Sequence, residues 1–216
     1  MSLHSTNIRS PFILCLALLL TGCGGTKLVV TGDFPDPLVD PIPLKMGTYF
    51  PEEFSNYEFV QERDKRGGAA ISIDSGRSQV KLFQRVFGSY FQTVRALDGL
   101  PEDQVLDGLD GIIVPEVAQL QVSVPSETKT KVYEVWIKYN MNLYQPDGVK
   151  VLTWPVTAYG KTPKRFMKTR EIALQQAFVV ALRDAGAHFV SRFDRLPLVK
   201  EWLAARGNNP TEPGEG

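Results

Sequence analysis

The chain has 216 residues, with 24 Lys and Arg balanced by 24 Asp and Glu, two His and two Cys. A formal net charge of zero excludes the broad positive field that collects nucleic acid, though not a local basic patch. Both cysteines fall within the first 23 residues, so the remainder offers no thiol for a disulfide, thiolate catalysis or a cysteine metal site.

Beyond His4, near the start, the chain holds one histidine, His188, which excludes a His-rich zinc site. It contains no Gly-rich phosphate loop, no H-E-x-x-H and no G-x-S-x-G, so no cofactor and no metal are expected.

The first residues read as a targeting segment. Positions 1–10 are polar, with one fixed positive charge, Arg9, and no acid. An apolar run follows over 12–20. That is the length of a signal-peptide core, about 7–15 residues. A membrane-spanning helix needs about 20, and no later stretch is long and apolar enough. The run ends in Leu20-Thr21-Gly22-Cys23. This tetrapeptide resembles the lipobox of bacterial lipoproteins. The resemblance implies a diacylglycerol thioether on Cys23, cleavage before it, and acylation of the new amino group. The alternative is an ordinary secretory signal that happens to end near a Cys. Two or more acyl chains anchor stably where one binds only marginally, so Cys23 would hold the protein on a membrane without spanning it. In such lipoproteins of two-membrane bacteria an Asp after the Cys tends to mean inner-membrane retention. Here Gly24 follows, and the resemblance implies outer-membrane sorting with the domain facing the periplasm. Removal of residues 1–22 takes away one Arg and no acid, leaving 23 basic against 24 acidic groups, a net charge of −1.

Residues 23–43 are expected to be a tether, since Pro35, Pro37, Pro41 and Pro43 with Gly24, Gly25 and Gly32 favour a semi-stiff spacer. Leu28-Val29-Val30 interrupts it, as a short edge strand or as an apolar patch docking on the domain. Strands are expected at 44–50, near 57–60 and at 69–73, with a charged turn at 61–68 between the last two. Asp74 or Ser75 can cap a first helix. Its stripe is Val80, Phe83, Phe87, Tyr90, Phe91, Val94 and Leu97, at spacings of three and four, and Gly99 and Pro101 end it. Ala118, Leu120, Val122 and Val124 alternate with polar residues. So do Tyr133, Val135, Ile137, Tyr139, Met141 and Leu143, which predicts a strand with one buried face. Gln145-Pro146-Asp147-Gly148 predicts a tight turn, and 149–159 a returning strand that Pro155 places at an edge or bulge. A second helix is predicted over 169–192, with a stripe of Leu174, Phe178, Ala181, Leu182, Ala185 and Phe189, and a short last one over 198–206 anchored by Trp202.

These elements predict a signal peptide at 1–22, the tether at 23–43, one α+β periplasmic domain at 44–206 and a disordered tail at 207–216. The fold class is α+β: a mostly antiparallel sheet with two main helices packed on one face, plus a short C-terminal helix. The stretch 133–160, an alternating strand, a Pro-Asp-Gly turn and a return strand with Trp154 and Tyr159-Gly160 before an Ala-rich helix, resembles small periplasmic lipoproteins with a helix-on-sheet domain. Outer-membrane lipoproteins that help lipopolysaccharide transport or activate peptidoglycan synthases share that layout. The resemblance implies an accessory role and transfers no site residue.

Three functional classes follow. The first is a non-catalytic accessory that binds a protein partner of the envelope, in addition to the membrane. Its candidate surface is the polar face of the central strand: Trp136, Lys138, Asn140 and Asn142. Trp136 is either exposed there or covered by the tether or the last helix. The second is a carrier of an apolar ligand such as a lipid, in a pocket lined by aromatic residues between sheet and helices. The third is an enzyme working through Glu102 and Asp103, Asp107 and Asp110, or His188, where solvation and a structural histidine are the simpler accounts.

Overall fold

The computed structural model describes residues 25–62, 70–102, 104–125, 128, 130–164 and 169–207. The signal peptide, Cys23, Gly24, most of the charged turn and nearly all of the expected tail lie outside the described residues. The elements are β1 (Thr26–Val29), β2 (Ile42–Tyr49), α1 (Glu52–Ser55), β3 (Glu58–Gln61), β4 (Ile71–Asp74), α2 (Gly76–Tyr90) and β5 (Phe91–Leu97). They continue with β6 (Gly111–Ser123), β7 (Val132–Tyr144), β8 (Lys150–Pro163), α3 (Arg170–Arg192), a 3-10 turn (Phe193–Arg195) and α4 (Pro197–Gly207).

The fold is α+β, but its sheets are mixed rather than mostly antiparallel. A five-stranded sheet has the order β5-β2-β6-β7-β8, and a three-stranded one the order β1-β4-β3. β6, β7 and β8 form an antiparallel meander. β2 runs parallel to both β5 and β6, and β1 runs parallel to β4. Parallel neighbours require crossovers, so they are set by contacts distant in sequence and leave no local signature.

The alternation along β7 appears as burial: Tyr133, Val135, Ile137, Tyr139, Met141 and Leu143 all face the core. Aromatic rings fill the space above them. Phe83 meets Tyr139 edge-on at 5.2 Å, Phe87 meets Phe189 at 5.0 Å, and Phe91 meets Phe193 at 5.4 Å between ring centroids. Edge-to-face geometry at these distances is the arrangement ring quadrupoles favour. α3 packs so closely on β8 that a Cβ at Gly160 would collide with the backbone of Ala177 and Ala181. The Ala-rich face of α3 and the missing side chain at Gly160 together permit that approach.

Three expectations change. The first helix stops at Tyr90 rather than continuing through Leu97. Phe91 turns extended (φ −104°, ψ 148°) and the chain enters β5, which pairs with β2. β5 is an edge strand with few buried positions, so its apolar residues fell by chance at helix-like spacings. Next, Ala118 is exposed, and the β6–β7 register shifts between Val117 and Gln119, so Ala118 is the extra residue of a bulge. Last, the expected tether is largely folded against the domain. β1 is an edge strand, and Leu28, Val30 and Phe34 are buried in the core. Beyond β1 the chain is strapped down polar group by polar group. Gln175 donates to the Thr31 carbonyl, Lys81 to Asp33 at 2.8 Å, Arg183 to the Asp33 carbonyl at 3.0 Å and Arg85 to Asp36 at 3.2 Å. The hydrogen bond and charge of Lys81 hold the Asp33 carboxyl below its usual range.

Candidate binding face

The side of β7 opposite the core carries the residues singled out from sequence, and the structure separates them. Trp136 stands 51% exposed, opposite Gln121 on β6 and Tyr159 on β8. Its ring lies 4.4 Å from that of Tyr159. The Tyr159 hydroxyl donates to Glu134 Oε1 at 2.6 Å. That carboxylate bond, with some desolvation and the Glu134 charge, pushes the Tyr159 hydroxyl up to about 12 and fixes its ring beneath the indole. Lys138 is exposed opposite Gln119, and Asn140 is half-buried opposite Pro155. Beside Trp136 and Lys138 is a cleft of about 150 Å³ lined by Gln119, Gln121, Trp136, Ile137, Lys138 and Thr157. It presents amides, one ammonium and an aromatic ledge, all on strands.

Asn142 does not belong to this open face. It is 1% exposed. Its Nδ2 donates to the Val114 carbonyl at 3.2 Å, while its Oδ1 accepts from Lys150 Nζ at 3.0 Å and from Thr153 Oγ1 at 2.6 Å. At this end of the sheet the polar loop after β5 meets the β7–β8 turn. The Leu106 amide donates to the Pro146 carbonyl at 2.9 Å, and the Pro101 carbonyl lies against Gly148, whose φ of +86° and lack of a Cβ make room for it. Asn142 is therefore a cross-strand tie, held by satisfied hydrogen bonds.

The carboxylates weighed for catalysis are dispersed. Glu102 and Asp107 are exposed, Asp103 lies outside the described residues, and Asp110 Oδ2 accepts the Lys45 amide at 2.7 Å. His188 has a different task. Its Nδ1 lies 2.5 Å from the Thr157 carbonyl, and Asp184, one helical turn earlier, accepts the Tyr159 amide at 2.9 Å. The two side chains of α3 thus occupy backbone groups on the open edge of β8, a common way to blunt an edge strand. An Asp and a His four apart on a helix gave the only sequence hint of this role, and they read equally well as a solvated face.

Among the described residues, aromatic rings pack the space between sheet and helices in which an apolar-ligand pocket was expected. An apolar groove of about 500 Å³ lies instead between α2, α3 and the strap, against Phe34, Pro37, Leu82, Val86, Ala187 and Val190. Among the described residues no helix is long and apolar enough to cross a membrane, and no group of three or more metal-ligating side chains occurs.

No family model matches the chain, and no curated protein matches it in sequence. Solved structures do resemble it. Protein XCC0632 from Xanthomonas campestris, of the DUF330 family model, superposes with a TM-score of 0.51 at 12% identity, over 84% of this chain and 99% of that one. A minor lipoprotein from Acinetobacter baumannii gives a TM-score of 0.40 at 10% identity, over 73% of this chain and 96% of that one. At these identities the likeness to XCC0632 shows a shared fold alone.

Proposed function

We propose that the chain is a lipid-anchored, non-catalytic binding lipoprotein of the bacterial envelope. In this reading Cys23 holds it in the outer membrane, its domain faces the periplasm, and it docks a protein partner through the Trp136 face. The observation that carries the docking reading is the half-exposed indole packed at a tilt against a tyrosine that is itself hydrogen-bonded to a carboxylate. A large aromatic side chain in water, already ordered on a rigid strand, loses little entropy on binding, and Trp is a frequent energetic centre of interfaces. The amides of Gln119, Gln121 and Asn140 around it supply the polar rim. For the anchor, the support is the leader, the lipobox and the run of only two glycines between Cys23 and β1.

Two experiments test this reading. Lipid labelling with radioactive palmitate should be lost in Cys23→Ala, and the wild type should travel with outer membrane on a density gradient. A photo-crosslinking amino acid at Lys138 should capture one discrete envelope protein, while the same group at Val149, on the β7–β8 turn, should not. Unchanged labelling contradicts the anchor, and equal capture from both positions contradicts the docking face.

The groove beside the strap favours a second reading, a carrier of an apolar ligand. Lipid co-purifying with the wild type and lost from Val86→Trp, which fills the groove, would support it over the first.

A further inference from the structure

The chain leaves almost no slack between its proposed anchor and its fold. Thr26 opens β1, and its amide is already bonded to the Ala70 carbonyl at 2.8 Å. From Gly25 back to Cys23 there are two peptide steps, which span at most about 7 Å fully extended. Acyl chains on Cys23 inside a bilayer would therefore bring the β1 end of the domain against the headgroups.

That end is basic. Arg170, at the start of α3, reaches Thr26 Oγ1 with Nη1 at 3.5 Å. Lys131 and Lys164 flank the start of β7 and the end of β8, tied by the Lys164 amide to the Lys131 carbonyl at 2.8 Å. Both lysines are exposed, as are Lys27 and Lys161; the acids on these segments among the described residues are Glu62, Glu171 and Glu134, which stands opposite Lys161 and accepts the Tyr159 hydroxyl. The opposite end is acidic. Residues 96–115 contain Asp98, Glu102, Asp103, Asp107 and Asp110 with no Lys or Arg. Asp147 on the β7–β8 turn adds to them, while Lys150 at the start of β8 and Lys200 on α4, whose Trp202 lies against Gly111, are bases at the same end. Thirteen residues of β7 separate the two ends, about 40 Å at the usual rise of a strand.

Resting on the lipoprotein reading above, we propose that the end of the domain bearing Lys131, Lys164 and Arg170 lies on the anionic phospholipid headgroups of the membrane that holds Cys23. The β7 axis then stands away from the bilayer with the acidic end outermost. Attraction of these cations to the headgroups acts within a Debye length, about 8 Å at physiological salt. The short link keeps them inside that range, whereas the acidic end is several Debye lengths beyond it. Trp136, four residues into β7, then sits roughly 13 Å above the membrane-facing end, where a partner that is itself membrane-bound reaches it.

The test uses the acylated full-length protein in vesicles of phosphatidylethanolamine and phosphatidylglycerol. After processing, an introduced cysteine is the one free thiol of the chain. Thr130→Cys, at the basic end, and Val149→Cys, at the acidic end, are each labelled with a fluorophore, and headgroup spin-labelled lipid is the quencher. Quenching should be at least about three-fold greater at 130 than at 149, because the two sites lie at opposite ends of β7, about 40 Å apart, and quenching by a spin label is short-ranged. In the double variant Lys131→Glu with Lys164→Glu the difference should shrink, and circular dichroism melting should show the variant folded. Flotation of the wild type with the vesicles reads the anchor separately. Flotation with equal quenching at both positions, or stronger quenching at 149, overturns the orientation while the anchor stands. A wild type that does not float overturns both. An undiminished difference in the charge variant overturns the role of the headgroup charge.

Discussion

Individual side chains carry two different duties on the two faces of β7, and each can be tested alone. On the core face, Phe87 is fully buried among Phe50, Phe83, Phe91 and Phe189. Truncating a buried Phe to Ala costs about 3–5 kcal/mol through lost burial and the cavity left behind. Phe87→Ala should therefore lower the melting temperature by roughly ten degrees, at about 2–4 °C per kcal/mol for a domain of this size. A shift within two degrees would mean that the ring is not in the core. On the outer face, Glu134 is the main cause of the raised Tyr159 hydroxyl. Its ionisation, read as the difference between wild-type and Tyr159→Phe ultraviolet titrations, should centre near 12 and move back toward 10 in Glu134→Gln. The sign follows from the direction of the shift. The folded-state value lies above the unfolded one, so the bond stabilises fully below the unfolded value of 10 and loses its contribution as pH rises from there through 12. A midpoint unmoved by Glu134→Gln would show that the carboxylate does not hold the hydroxyl. Asn142 shows how far sequence reaches at this scale. Alternation put it among the open polar residues, but only the fold brings the Val114 carbonyl, Lys150 and Thr153 to its side chain.

Elements whose identity depends on their own residues were legible, and those decided by distant partners were not. β7 and α3 each run long with an unbroken period, and both lie where the sequence places them. β5 follows directly on α2 with no Gly or Pro at the junction, and pairing with β2 decides its state. The apolar run 28–30 left an edge strand or a docking patch open, and β1 is an edge strand there; the strap after it was hidden, because four prolines signal extended chain while the partners of Asp33 and Asp36 lie about 50 to 150 residues away. The strap gives a clear prediction. Phe34→Ala should cost about 3–5 kcal/mol, as for any buried Phe, whereas in a free spacer it would cost nothing measurable by chemical denaturation. α3 and β8 give another. Gly160→Ala forces a methyl into the Ala177 and Ala181 backbone; overpacking of this kind typically costs about 1–3 kcal/mol. An unchanged denaturation midpoint would show that α3 stands further from the sheet.

At the scale of the whole molecule, the proposed anchor, the basic end beside it and the open aromatic face form one arrangement. In the proposal the short link sets the height of the domain and the basic end its direction, with Trp136 on the outer face of β7. On the edge of β8, Asp184 and His188 occupy the Tyr159 amide and the Thr157 carbonyl. The most direct measurement compares Trp136→Ala with the wild type, both acylated, in capture of partners from cross-linked membranes alongside thermal melting. The account predicts that the partner is lost while stability changes by no more than about 0.5 kcal/mol, as at surface sites. Full retention of the partner, or a large loss of stability with the partner still bound, would contradict it.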